Sequence, residues 1–323
     1  MLIIFCALFF PRGIAHAIVC PQFEMNMMIK VLRVLCLSVT ATIFQVSPVM
    51  AAAEPASAAA LQAKYVELTP RLARNSFKRP LVLISDASTS ALKGDVYAVV
   101  DHSFDQVSNN LNGAAQWCDV LILHLNTKYC RAVNGVAGTT LNVSVGKKFD
   151  QPLEDAYRVA FAYRQGATTA DYFNARLDAQ KGPLGTSDYQ ILLEATAIPG
   201  NKTFMHLTYS YVIGFASKVA MQGYLATAGS DKVGFTVATK SADGQPQFIG
   251  GTRGLVERNT MRYYLAIDAF LDTANLPASQ QVDQRLQHWF DATESYPRQL
   301  HEMDRADYLV MKRNEIKRQQ AAQ

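Results

Sequence analysis

Between Leu121 and Val212 the chain alternates apolar and polar residues in successive runs, at 121–133, 139–148, 155–164, 171–180, 187–198 and 203–212. A period of two marks half-buried strands, and the links carry turn residues: Asn134-Gly135, Gly166, Gly182-Pro183-Leu184-Gly185 and Pro199-Gly200. Strands joined by links this short pair as an antiparallel meander. Upstream, 81–85 and 94–101 read as two more strands, the second placing Val96, Ala98 and Val100 on one face. The spacing then lengthens: Phe104, Val107 and Leu111 recur at helical intervals behind a cap at Asp101 or Ser103, Gly113 ends that helix, and a further helical turn covers 114–120.

Beyond the meander the pattern predicts a helix over 214–227, a strand pair at 232–239 and 247–252 joined through Asp243-Gly244, and helices at 257–272, 279–292 and from Pro297 to about Arg318. The 257–272 helix is apolar over most of its surface, through Met261, Tyr264, Leu265, Ile267, Phe270 and Leu271. Such a helix belongs buried against the sheet. The fold class is therefore α+β with an antiparallel sheet. No αβ alternation, P-loop or G-x-G-x-x-G element occurs, which disfavours a nucleotide-binding parallel sheet.

The first fifty residues differ from the rest. Lys30 and Arg33 precede an apolar stretch from Val34 to Val46, Pro48 breaks it, and Ala51-Ala52-Ala53 supplies small residues for a signal peptidase. Residues 1–53 are expected to be a cleaved signal peptide, with the true start at one of Met25, Met27 and Met28. The alternative is an uncleaved anchor, against which the stretch falls short of the ~20 residues that span a bilayer. Neither Cys20 nor Cys36 follows the small residue that lipid attachment needs. The expected destination is an oxidising compartment such as a bacterial periplasm. The rest divides into a flexible lead-in at 54–80, an α+β domain at 81–273 and a C-terminal helical extension at 274–323.

Composition narrows the partners. The chain has 31 basic and 27 acidic residues; without Arg12, Lys30, Arg33 and Glu24 of the leader, 28 and 26 remain. A nearly neutral domain with no concentrated basic surface is not expected to bind nucleic acid. Of 5 cysteines, only Cys118 and Cys130 lie beyond the leader. An even pair in an exported chain points to a disulfide; two buried thiols or a metal pair are the alternatives, the last without a histidine at ligand spacing.

The order strand, two short helices, long meander, long helix resembles the helix-grip superfamily, which includes START lipid-transfer domains and polyketide cyclase-like proteins. The segment from Val96 to Val107, with Trp117 to follow, looks like its first strand and helix pair. Runs such as Gly182-Pro183-Leu184-Gly185-Thr186 and the eight residues from Glu257 to Tyr264 look like a set of exported bacterial proteins of that type. The resemblance covers roughly 94–272. It implies a sheet wrapped around a long helix, leaving an elongated apolar cavity for a lipid, a sterol or an aromatic small molecule. The inserted helix at 214–227 and the two helices after Asp272 depart from the plain pattern and leave open which helix closes that cavity.

The candidate ligand-binding residues are Arg253, Glu257, Arg258, Asn259 and Arg262, around the start of the apolar helix, with His206, Tyr209 and Tyr211 on the last strand of the meander. Arg258 and Arg262 lie one turn apart on one face and, with a helix N-terminus, would hold a carboxylate or phosphate head group. Alternatively Glu257 favours the helix start and the arginines pair with strand carboxylates such as Asp178 or Glu194. Tyr157, Phe161, Tyr163, Tyr172, Phe173, Tyr189 and Phe204 supply further aromatic surface for core or cavity walls. No catalytic residue is assigned: His102, His124, His206, His288 and His301 are scattered, and no H-E-x-x-H, paired metal spacing or G-x-S-x-G occurs. His206 with Tyr209 is the best acid/base candidate. No cofactor or metal is expected. Lys312, Arg313, Lys317 and Arg318 on the last helix either touch a membrane surface or complement the helix dipole. The function expected is a periplasmic, non-enzymatic binder or carrier of a hydrophobic or lipid-like molecule. The alternatives are a cyclase- or hydrolase-like enzyme on such a substrate and an envelope assembly factor whose C-terminal helices bind a protein.

Overall fold

Eight strands form one antiparallel sheet: β1 (Leu81–Ala87), β2 (Ala91–Val100), β3 (Thr127–Gly135), β4 (Gly138–Val145), β5 (Tyr157–Thr168), β6 (Tyr172–Lys181), β7 (Thr186–Ile198) and β8 (Lys202–Ile213). The structure, a computed structural model, describes residues 57–321 apart from Ala228, so the expected leader at 1–53 lies outside the described residues. The spatial order is β1-β2-β8-β7-β6-β5-β4-β3. Strands β3 to β8 are the predicted meander, and its last strand closes onto β2, with Tyr97 opposite His206. Tight turns fix the registers. Between β7 and β8, Gly200 and Asn201 take φ values of 85° and 57°, which glycine and asparagine tolerate best.

Two short helices carry the chain from β2 to β3 across one end of the sheet, α2 (Phe104–Leu111) and α3 (Ala114–Leu121). Ser103 caps α2 in a reciprocal capping box with Gln106. Trp117 of α3 is buried and donates its indole N–H to the Leu111 carbonyl, binding the two helices together. The Cys118–Cys130 disulfide then ties α3 to β3, across a Cα–Cα distance of 5.2 Å.

The two sheet faces are covered differently. One face carries Val96, Ala98, Leu141, Val159, Leu193 and Leu207 into the main core, against the 23-residue helix α5 (Gly251–Thr273). This helix begins two turns before the Glu257 start expected from sequence, because Gly251 and Gly254 weaken the helical signal of its first residues. On the other face Leu61, Leu68 and Leu72 of α1 (Ala58–Ala73) pack on Val82, Tyr172 and Phe204. The flexible lead-in expected at 54–80 is thus corrected: seven-residue spacing of leucines gives α1 a buried stripe that its alanine-rich composition hides.

Helix α4 (Phe215–Ala226) follows the meander, and a small separate hairpin, β9 (Val237–Lys240) with β10 (Pro246–Phe248), precedes α5. The C-terminal residues form α6 (Ala278–Glu294), the single turn α7 (Pro297–Leu300) and α8 (Arg305–Ala321). They belong to the main core, not to an extension outside it. Trp289 of α6 stacks on Tyr308 of α8 with ring centres 5.0 Å apart, and donates to the Arg262 carbonyl of α5. The single helix expected from Pro297 to Arg318 is broken at 301–304, where the chain turns to deliver Glu302 to Arg262.

Helix α8 also protects the sheet's edge. Edge strands expose unpaired backbone groups, and here Gln319 Oε1 accepts from the Cys130 N–H of β3 at 2.9 Å. Beside it Glu315 is fully buried between Lys128 and Lys312, at 2.9 and 2.7 Å. Lys312 donates further to the carbonyls of His124 and Thr127, both at 2.7 Å. Of the four basic residues named on the last helix, Lys312 points into the protein and Arg313 pairs with Asp283.

A candidate ligand cavity under the long helix

Strands β4 to β8 do not meet α5 along its whole length. A cavity of about 500 Å³ opens between them, within the range of small-molecule sites. Val143, Val159, Phe161, Ile191, Tyr209 and Tyr211 form its sheet wall, and Leu255, Asn259 and Tyr263 of α5 face them. Ser217, Ala220, Met221 and Tyr224 of α4 close it from above, while Leu184 and Lys147 stand at a rim that reaches solvent. The opposite end is formed by Leu121, His124, Asn126 and Thr127. Helix α4 covers the cavity with one side only: Phe215 and Val219 on its other side are 85% and 54% exposed.

The sheet order, with β2 closing onto β8 at the end of the meander, the helix pair after β2 and one long helix across the curved face, decides the architecture. This is a helix-grip fold. The strand β1 and helices α1, α4, α6, α7 and α8 are additions around it. No family model matches the chain, and no curated protein matches it in sequence. Solved structures that align with it include a conserved protein from Geobacillus kaustophilus at 15% identity, covering 42% of this chain and 86% of that one (TM-score 0.29). A truncated norcoclaurine synthase from Thalictrum flavum aligns at 13% identity over 45% and 89% (TM-score 0.30). The human StAR-related lipid transfer protein 5 aligns at 8% over 52% and 89% (TM-score 0.28). Superpositions this loose carry nothing about ligands, so the helix-grip assignment rests on strand order and helix placement.

The helix-grip geometry sorts the candidate residues. Tyr209, Tyr211 and Asn259 line the cavity. Tyr211 stacks nearly parallel on Tyr189 at 5.0 Å, and Tyr209 leans on Tyr263 at 5.0 Å. Burial raises the hydroxyls of Tyr189, Tyr209, Tyr211 and Tyr263 above the usual phenol range, so they remain protonated donors.

The other candidates stand elsewhere. Arg253 is exposed and donates to Ser85. Glu257 is fully buried and holds the 235–236 backbone: it accepts from the N–H groups of Phe235 and Thr236 at 2.6 and 2.9 Å, and from the hydroxyls of Ser85 and Thr236. Arg258 is buried beside it and donates to the Val233 carbonyl at 3.2 Å. Arg262 pairs with Glu302 at 2.7 Å, and not with Asp178 or Glu194, which go to Arg176 and His206. Burial alone would raise the Glu302 carboxyl, but Arg262 and Lys148 together hold it below its usual range.

His206 and Tyr209 do not form a pair. Residues an odd number apart on a strand face opposite ways, and His206 lies on the α1 side, between Asp95 at 2.8 Å and Glu194 at 2.9 Å, under the ring of Tyr97. Among the described residues no His, Cys, Asp and Glu cluster could hold a metal, and no helix is long and apolar enough to cross a membrane.

His124 is the cavity residue that the sequence reading passed over. It follows α3 in a tight turn, is buried, and stacks on Tyr263 at 4.8 Å. Its Nδ1 accepts from the Asn126 N–H at 3.1 Å. Its Nε2 has no partner among the described residues. Burial, and then the nearby cations Arg262, Lys312, Lys148 and Lys128, push the imidazole well below its ordinary value and keep it neutral. Nothing in a lone histidine between Leu123 and Leu125 signals this; only the fold brings the four cations around it.

Proposed function

We propose that the protein is an exported, periplasmic binder or carrier of an apolar small molecule, which it holds between the sheet and α5 beneath α4. The observation that carries this reading is the cavity itself: about 500 Å³, walled mainly by aliphatic and aromatic side chains of the sheet, α4 and α5. A cleft of this size with mainly apolar walls, a few polar groups and one rim open to solvent has the usual form of a small-molecule site. An apolar guest held there would remove those walls from water. Export is supported by the composition of residues 1–53 and by the Cys118–Cys130 disulfide, which is stable in an oxidising compartment.

The test is native mass spectrometry of the protein purified from its own host without detergent. A co-purifying small apolar molecule, lost on organic extraction and regained on incubation with the extract, is the expected result. Protein that carries nothing, and takes up nothing from the host's lipid extract, overturns the reading. Fractionation of cells that produce the full chain with a C-terminal tag tests export separately, with a shortened chain in the periplasmic fraction expected.

A further inference from the structure

The cavity has a chemically distinct end. Because Nδ1 of His124 accepts the Asn126 N–H, the proton of the neutral ring sits on Nε2. That N–H is buried, lies in a cavity-lining side chain and has no acceptor among the described residues. A buried donor left unmatched is costly, and the ring has no free acceptor to offer in exchange. Asn259 repeats the pattern nearby: its oxygen accepts from Arg262 at 3.4 Å, so its amide nitrogen is the group left to donate.

The electrostatics point the same way. The charges that act on the His124 ring are Arg262, Lys312, Lys148 and Lys128, all positive. Their carboxylate partners are Glu302, shared by Arg262, Lys148 and Lys232, and Glu315, shared by Lys128 and Lys312. Five cations on two carboxylates leave a positive excess behind a ring that presents only a donor. In addition, Arg258, one turn before Arg262, adds a further buried guanidinium on the same side of α5.

Resting on the binding function argued above, we propose that His124 Nε2–H anchors an anionic oxygen head group, a carboxylate or a phosphate, of a ligand whose apolar part fills the tyrosine-lined remainder of the cavity. An alcohol gains less there, because its oxygen accepts without charge, and an alkylammonium is repelled.

The experiment titrates delipidated protein with dodecanoate, dodecyl phosphate, dodecan-1-ol and dodecylammonium by calorimetry, for the wild type, His124→Phe and His124→Gln. An anion binding about tenfold or more tighter than the alcohol, as one charge-assisted hydrogen bond predicts, is expected; the tighter of the two anions identifies the head group. His124→Phe abolishes that preference by lowering anion affinity to the level of the alcohol, and His124→Gln, which keeps a donor, retains part of it. Long-range ¹⁵N spectra of the wild-type histidines give a readout independent of any variant's folding, with the His124 Nε2 signal moving on addition of the anion and not of the alcohol. Equal affinity for acid and alcohol, or a preference that survives in His124→Phe, overturns the head-group assignment while the cavity reading stands. Absence of binding by all four probes overturns both.

Discussion

Gly94 of β2 lies directly beneath Thr260 of α5: a Cβ added at Gly94 would come within 2.2 Å of the threonine Oγ1 and 3.0 Å of its Cβ. Here the long helix crosses the strand with no room for a side chain at position 94, and Thr260 is itself fixed by donating to the Val256 carbonyl at 2.8 Å. Gly94→Ala is therefore expected to overpack the contact and destabilise the protein by about 1–3 kcal/mol. Adding Thr260→Ala should recover part of that loss. Urea unfolding of the two single variants and the double variant measures the coupling, and strictly additive effects would contradict the contact.

The disulfide joins the helix pair to the edge strand at a sequence separation of 12 residues. Closing a loop of this size restricts the unfolded chain by about 3 kcal/mol. Reducing agent, or the pair Cys118→Ala and Cys130→Ala, should lower the urea midpoint by the corresponding amount. Because β3 is also covered by α8, the reduced protein should still fold; a midpoint indifferent to reductant would mean the cysteines are not bonded.

The elements were legible in the sequence to the extent that their pattern was local. The meander from β3 to β8 announced itself by period-two alternation and turn residues, and α5 by its nearly all-round apolarity. Helix α1 was hidden because its stripe is three leucines among alanines, and the break at 301–304 because nothing local to Glu302 reveals that Arg262, forty residues earlier, requires it. The cavity was legible in class, through Tyr209, Tyr211 and Asn259, but not in chemistry. Arg258 and Arg262 do share a helix face, yet a face becomes a binding surface only where neighbours stop short of it, and here Glu302 and the 233–236 segment fill that space. The distance between His206 and Tyr209 was a matter of parity along one strand, which the sequence contained and the pairing overlooked.

On the α1 side of the sheet, pH should read out the cluster around His206. Burial lowers the affinity of this imidazole for a proton, but hydrogen bonds to Asp95 and Glu194 outweigh it and raise the group above its ordinary 6.5. Burial likewise works against Asp95 and Glu194, yet the bonds to His206, helped by Thr208 and Lys93 at Asp95 and by Tyr172 at Glu194, hold both carboxyls low. A raised histidine contributes stability in full below its unfolded value and loses it as pH rises through the folded one. The depressed carboxyls contribute above their unfolded values and lose it as pH falls through the folded ones. The stability difference between wild type and His206→Gln should therefore be largest between about pH 4.5 and 6.5 and shrink as pH rises beyond the folded value of His206. A difference that grows with rising pH would contradict the cluster's charge assignment.

Glu302 should be among the least replaceable surface-proximal residues. Arg262 is almost wholly buried, and Glu302 is its carboxylate partner. Removing one member of a buried pair leaves the other's charge uncompensated, at a cost of about 3–5 kcal/mol. Glu302→Ala should therefore destabilise far more than Glu294→Ala, whose partner His301 is half exposed. Equal midpoints for the two in thermal unfolding would show that the Arg262 charge is compensated in another way.

Enlarging a cavity wall separates space from packing. Val143 of β4 is 3% exposed and lines the cavity. In a filled core Val143→Phe would force strain of about 1–3 kcal/mol, whereas beside a cavity of about 500 Å³ the ring has somewhere to go and adds apolar contact. The expected outcome is a Tm close to that of the wild type together with loss of the co-purifying molecule in native mass spectrometry. Leu193→Phe is the control: Leu193 is equally buried on the same sheet face but absent from the cavity wall, so it should lose stability and keep its ligand. If Val143→Phe instead destabilises as much as Leu193→Phe, the space beneath α5 is closed in solution and holds no guest.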